Sequence, residues 1–167
     1  LGRTGRWFGF EHAGVQPDVV TLAKALGNGV PIGACWGRRD VAASFGRGDH
    51  GSTYAGQPLA ARAALAVLDE MERIDAPGLA RARGERLAAG LARIDGVEAV
   101  RGRGLLLAAE LGKNADSAEI NARLLAAGLV VNAVTPTALR FAPPLTVTEH
   151  EIDEALTIFA TTLGRTT

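Results

Sequence analysis

Asp18-Val-Val-Thr-Leu-Ala-Lys24-Ala-Leu-Gly-Asn-Gly29-Val-Pro-Ile-Gly33-Ala34 runs from an apolar stretch through a lysine into a glycine-rich turn. Residues 18–23 and 32–37 read as two short buried strands, each bounded by Gly or Pro. The lysine is conspicuous. Of 18 basic residues only Lys24 and Lys113 are lysines, and the rest are arginines. A lysine amine can lose its proton and attack a carbonyl, which a guanidinium cannot do. Two readings of Lys24 therefore stand. It is a Schiff-base lysine in an apolar site at the carboxyl end of a strand, where open α/β sheets place their ligands. Or it is a lysine that ends a strand with its head in solvent.

Working outward, Gly46 to Gln57 is a polar, glycine-rich loop, and Pro58 opens a helix at the first-turn position that proline favours. That helix reads through an alanine-rich segment to about Ile74. Asp75-Ala-Pro-Gly78 breaks it and marks a domain boundary, giving one domain over residues 1–75 and a second over 76–167. The second opens with a helix carrying Leu79, Leu87, Leu91 and Ile94 roughly on one face. Val97 to Leu111 reads as a strand, an Arg-Gly-Arg-Gly turn and an apolar strand from Leu105 to Leu111. Asp116 with Glu119 resembles a capping box and starts a helix ended by Gly128. Strands over 129–134 and 138–142 follow, and Pro143-Pro144 stops the second. Thr148 and Glu151 form another capping box. Ile152, Leu156, Phe159 and Leu163 then recur at helical spacing in an amphipathic closing helix. The class is α/β, with a small mixed or antiparallel sheet in the second domain.

Composition narrows the function. The 167 residues are 47% hydrophobic and 22% charged, with 18 acidic and 18 basic side chains. A chain so balanced carries no electrostatic footprint for nucleic acid or anionic lipid. The single Cys35 rules out an internal disulfide framework, fits the reducing cytoplasm and reads as packed core. No apolar run is long enough for a membrane span. His12, His50 and His150 are scattered without ligand spacing, so no metal site is expected.

Two further segments carry chemistry. In Asp49-His50-Gly51-Ser52-Thr53-Tyr54-Ala-Gly56-Gln57-Pro58, small hydroxyl residues among glycines precede a helix N-terminus. Such a loop binds phosphate through N–H and O–H donors, or is simply a capped loop. In Leu139-Arg140-Phe141-Ala-Pro-Pro144, strand alternation points Arg140 away from the face used by Leu139 and Phe141. There it either grips a carboxylate with two parallel hydrogen bonds or forms a surface salt bridge. Arg101-Gly-Arg103-Gly104 reads as structural, and the Arg81–Arg86 cluster as a solvated helix face.

Taken together, four stretches resemble the class III, ornithine-type aminotransferases, which depend on pyridoxal 5'-phosphate. They are Gly2-Arg-Thr-Gly-Arg-Trp-Phe-Gly-Phe-Glu-His12, Gly14-Val-Gln-Pro-Asp-Val-Val-Thr-Leu-Ala-Lys24, Gly51-Ser-Thr-Tyr-Ala-Gly-Gln-Pro-Leu59 and Val131-Asn-Ala-Val-Thr-Pro-Thr-Ala-Leu-Arg-Phe-Ala-Pro-Pro-Leu145. The fourth most resembles the bacterial acetylornithine aminotransferases of arginine biosynthesis.

The resemblance implies a fold-type I, aspartate aminotransferase-like α/β enzyme. Residues 1–75 would be the last part of its large, cofactor-binding domain and 76–167 its small C-terminal domain. Lys24 would be the Schiff-base lysine. Thr53, with Ser52 beside it, would reach the cofactor phosphate of the partner subunit in a homodimer. Arg140 would bind the α-carboxylate of glutamate or 2-oxoglutarate. Acetylornithine is the expected amino donor. Ornithine, succinylornithine, succinyldiaminopimelate and 4-aminobutyrate are the rivals, and glutamate-semialdehyde aminomutase chemistry fits less well with Arg140. In this family the aspartate that protonates the pyridine nitrogen lies just upstream of the matched region. The chain is therefore expected to be a C-terminal fragment that alone binds cofactor poorly, turns over poorly and exposes apolar surface. From a different class, a non-catalytic α/β module is the competing expectation.

Overall fold

The computed structural model describes residues 1–164. They form two compact units, one of Leu1 with Phe8–Asp75 and one of Gly2–Trp7 with Ala76 onward. The division after Asp75 sits where backbone chemistry forces it. Asp75 has φ +47°, a left-handed conformation that stops one helix and lets the next begin at once. Pro77 and Gly78, expected to be part of the break, lie instead in the first turn of that next helix, where proline's missing N–H has no helical partner to lose.

In the first unit, β1 (Val19–Leu22) pairs antiparallel with β2 (Ala34–Gly37), in register from Val19 opposite Gly37 to Leu22 opposite Ala34. A short helix α1 (Arg39–Ala42) and the sixteen-residue α2 (Pro58–Arg73) follow. Pro58 occupies the first turn of α2 as expected. The two strands are not buried as the sequence implied. Only Val20 is buried across the pair, and Val19 and Trp36 are 47% and 45% exposed. Burial of a strand requires a layer against each face, and the described residues of this unit provide too little to cover both. Cys35, expected in a packed core, is likewise exposed.

The second unit has the closed core. Its sheet is fully antiparallel, in the order β3 (Val97–Arg103), β4 (Leu106–Leu111), β6 (Ala138–Phe141), β5 (Asn132–Thr135). The helices are α3 (Ala76–Leu91), α4 (Ser117–Ala126) and α5 (Glu149–Gly164). Strand alternation sends Leu107, Ala109, Leu139 and Phe141 into one cluster with Leu87, Leu91, Ile120, Leu124, Ile152 and Phe159 from the helices. Phe141 and Phe159 meet edge to face, centroids 5.1 Å apart. The opposite face, carrying Arg101, Arg140 and Asn132, stays exposed.

Local signals set the helix starts. The Asp116 side chain accepts from the N–H groups of Ala118 and Glu119, at 3.0 and 3.1 Å. The Thr148–Glu151 box closes reciprocally, with Thr148 N–H to Glu151 Oε2 at 2.7 Å and Glu151 N–H to Thr148 Oγ1 at 3.2 Å. The expected Arg-Gly-Arg-Gly turn is shorter than its sequence. Arg101, Gly102 and Arg103 all lie within β3, and only Gly104-Leu105 turn. Gly104 has φ +53°, and a Cβ there would stand 2.5 Å from the Arg3 carbonyl oxygen, so no other residue fits. The segment Gly2–Trp7 is tied to this turn: Leu105 N–H donates to Arg3 O at 2.8 Å, and the Arg3 guanidinium donates to the carbonyls of Leu105 and Pro143. These six residues pack with the second unit, although sequence reading grouped them with the first.

Candidate active site

Lys24 begins a three-residue 3₁₀ turn (Lys24–Leu26) as the chain leaves β1. Its φ is +54°. For a residue with a Cβ this left-handed conformation costs on the order of 1–2 kcal/mol, and surrounding structure must hold it. Here it is held by a run of turns: Leu26 N–H to Ala23 O, Gly27 N–H to Lys24 O and Asn28 N–H to Ala25 O, each at 3.2 Å. Gly27 is essential to that run, because a Cβ would lie 2.1 Å from Val30 O. Leu26 is buried, and α2 packs against the turn. At the far end of the hairpin, Arg38 donates to Asp18 Oδ1 at 2.8 Å and to Asp40 Oδ2 at 2.6 Å. The Arg38 hydrogen bond holds the Asp40 carboxyl below its ordinary range.

The Lys24 side chain itself is exposed. The apolar surroundings expected from its sequence context are not built by the neighbouring described residues, since the strands on which it depends are themselves uncovered. What the local structure does provide is a fixed backbone and an accessible amine.

Ser52 and Thr53 are exposed in the loop before α2. Ser52 lines an open cleft of about 760 Å³ with Val30 to Gly33, Tyr54 to Gln57 and the first turn of α2, whereas Lys24 and Thr53 do not line it. Near these hydroxyls the Ala55 N–H donates to Ser52 O at 3.3 Å.

Arg140 lies in the second unit, on β6, opposite Ala108 of β4 and Asn132 of β5. It is exposed, as alternation required, while Leu139 and Phe141 are buried. One Nη2–H donates to Asn132 Oδ1. Among the described residues it has no carboxylate partner. Arg101 differs. It is paired with Glu110 across β3–β4, and Glu110 is the one charged residue in the strand that sequence reading treated as apolar. Sequence reasoning passed over two residues: Arg3 as a clamp on the second unit, and Asn132 as the partner of Arg140. Asn132 was within reach of the sequence, eight positions before Arg140 across a Thr135-Pro-Thr-Ala138 turn.

Among the described residues stand a lysine amine on a constrained turn, a hydroxyl-bearing loop before a helix and an arginine without a carboxylate partner. Residues 1–163 match the family model for aminotransferase class-III. The chain belongs to the class-III aminotransferases. Within the family it is 46% identical to a Gloeobacter violaceus protein named acetylornithine aminotransferase, over 99% of this chain and 42% of that protein. A Bifidobacterium longum protein of the same name is 48% identical over 95% of this chain and 38% of its own length. Among solved structures, the Toxoplasma gondii ornithine aminotransferase superposes with a TM-score of 0.87 at 33% identity, over 96% of this chain and 40% of that one. An S-selective transaminase from Bacillus megaterium gives 0.88 at 28% identity, over 98% of this chain and 41% of that one. The chain thus spans about two fifths of the length of the relatives it matches. No helix of the described residues is long and apolar enough to cross a membrane.

Proposed function

We propose that this chain is the carboxyl-terminal part of a pyridoxal 5'-phosphate-dependent transaminase of arginine biosynthesis. The reaction is transfer of the amino group of acetylornithine to 2-oxoglutarate, giving N-acetylglutamate semialdehyde and glutamate. The observation that carries the reading is Lys24, held in a left-handed turn at the end of β1 with an accessible amine, in a chain 40–48% identical to eight proteins named acetylornithine aminotransferase.

The donor set suits a phosphorylated aldehyde: an amine for its carbonyl and the hydroxyls of two exposed residues beside a helix start for its phosphate. When bound, the cofactor supplies the electron sink for carbanion chemistry. Lys24 Nζ would hold its aldehyde carbon and, as a free amine, would take the proton from the substrate carbon that bears nitrogen. Thr53 and Ser52 would donate hydroxyl hydrogens to the phosphate, in our reading that of a partner subunit in a homodimer. Arg140 binds the α-carboxylate of glutamate or 2-oxoglutarate through two parallel N–H donors. Residues 1–75 form the end of the cofactor-binding domain and 76–167 the small domain. The free thiol of Cys35 fits a cytoplasmic enzyme.

A second reading is ornithine as the donor, favoured by the superposition on ornithine aminotransferase, although at 33% identity. The test is borohydride reduction of the cofactor-loaded, full-length protein, peptide mapping, and assay with acetylornithine, ornithine, succinylornithine, succinyldiaminopimelate and 4-aminobutyrate. A reduced adduct on Lys24 and fastest turnover of acetylornithine are expected. An adduct on Lys113, or none, overturns the role of Lys24; preference for another donor overturns the substrate.

A further inference from the structure

Arg140 and Asn132 face each other across the β5–β6 ladder, on the sheet face away from the helical core. The hairpin that sets this pairing is anchored outside itself. Ser117, 1% exposed, donates from Oγ to Thr135 O and from its backbone N–H to Pro136 O at 2.9 Å. An irregularity between Ala133 and Thr135 further pins the register. A slip by one residue would turn Asn132 onto the core face.

The chemistry of the contact is selective. A guanidinium only donates, so the Asn132 atom that meets it must be the carbonyl oxygen. That oxygen occupies one Nη2 hydrogen. Whichever of the two it takes, one complete two-donor edge of the guanidinium remains, either Nη1–Nη2 or Nε–Nη2. The acceptor is also neutral. It fixes the side chain while leaving its full positive charge for a ligand. Arg101 on the same face shows the contrast, since its charge is already matched by Glu110. The row Arg101, Ala108, Arg140, Asn132 puts a small residue between the two arginines.

We propose that Asn132 is a positioning residue for Arg140: its amide oxygen orients the guanidinium for two-pronged capture of a substrate carboxylate without neutralising it. This rests on the reading of Arg140 as the carboxylate-binding residue. It adds a requirement that residue 132 be a neutral acceptor, because a carboxylate there would pair with the arginine and compete with the ligand.

The experiment measures glutarate affinity by calorimetry on the full-length, cofactor-loaded protein and its Arg140→Ala, Asn132→Asp and Asn132→Leu variants. Glutarate carries two carboxylates and no amine or keto group, so affinity is read without turnover. Arg140→Ala is expected to abolish measurable binding. Asn132→Leu removes the acceptor and weakens glutarate about tenfold. Asn132→Asp, almost the same shape, weakens it about thirtyfold or more with an unchanged melting temperature, which loss of a merely structural contact would not do. If Arg140→Ala binds glutarate as the parent does, the carboxylate reading of Arg140 falls and this proposal with it. If Arg140→Ala abolishes binding while both Asn132 variants stay within about twofold of the parent, only the role of Asn132 falls. Should Asn132→Leu not fold, the isosteric Asn132→Asp decides alone.

Discussion

The two units bury their apolar residues very differently. In the second, fourteen buried residues form one cluster between a four-stranded sheet and three helices. In the first, buried apolar residues are Val20, Leu26, Ala60, Ala64 and Met71, while Phe45, Tyr54 and Leu59 are 59%, 81% and 73% exposed. The lysine and the hydroxyl loop are in the unit with little core of its own; the arginine is on a face of the unit that has one. A side chain can be held by packing beneath it or by backbone turns around it. Arg140 is held in the first way, on a strand whose neighbours Leu139 and Phe141 are buried. Lys24 is held in the second way, through φ +54° and three successive turn hydrogen bonds.

If this contrast is right, the largest effect of truncation belongs to the second unit. Phe159→Ala removes a fully buried ring and its edge-to-face partner and is expected to cost about 3–5 kcal/mol. Urea unfolding followed by circular dichroism measures it, and a cost below about 1 kcal/mol would mean that this core is not closed. Next is Gly27→Ala, which forces a methyl against Val30 O. We expect about 1–3 kcal/mol, concentrated in the lysine turn, so amide exchange of residues 24–30 should accelerate more than that of 97–111. Equal acceleration in both would break the assignment of Gly27 to the turn. Third, Thr148→Ala opens the capping box of α5 at about 1 kcal/mol. Last, Leu59→Gln, at a 73% exposed position, should move stability by less than about 0.5 kcal/mol while lowering dye binding to exposed apolar surface. A large stability loss there would show that the first unit has a core these residues do not reveal.

Acid sharpens the same comparison. Arg86 of α3 hydrogen-bonds Asp153 of α5 at 2.7 Å and lies 3.4 Å from Glu149. The hydrogen bond from Arg86 holds Asp153 below its ordinary 3.8. The Thr148 N–H and hydroxyl likewise hold Glu151 below 4.5. Because both folded-state values are depressed, the stabilisation is present above the ordinary carboxylate range and is lost as pH falls through the folded values. The urea midpoint of the second unit should be flat above about pH 5 and decline below it, and Asp153→Asn should flatten the decline. An unchanged decline in that variant would remove the pair from the explanation.

Much of this was legible in the chain itself. Pro58 at a first turn, Thr148 with Glu151, and the spacing of Ile152, Leu156, Phe159 and Leu163 act through neighbours within one helical turn or along one helix face, so the sequence contains the whole interaction. Lys24 stood out on chemistry alone, as one of two lysines among sixteen arginines. Other features depend on residues far apart in the chain. The apolar character of 18–23 and 32–37 was plain, but whether those strands are covered depends on what packs against them. Arg101-Gly-Arg103-Gly104 looked like a turn because glycines are turn residues, yet pairing with β4 extended the strand to Arg103 and left only Gly104 and Leu105 to turn. Arg3 was read with residues near it in sequence, while its partners are 102 and 140 positions away.

The sequence by itself determined most of the elements and the capped helix starts at Asp116 and Thr148, because helix caps and strand alternation are short-range physics. Only the tertiary structure decided which residues are buried, that Lys24 has an uncovered side chain on a constrained backbone, and that Arg140 is met by the neutral Asn132 while Arg101 is met by Glu110. Those outcomes depend on strand register and layer packing, which join residues that no local pattern connects.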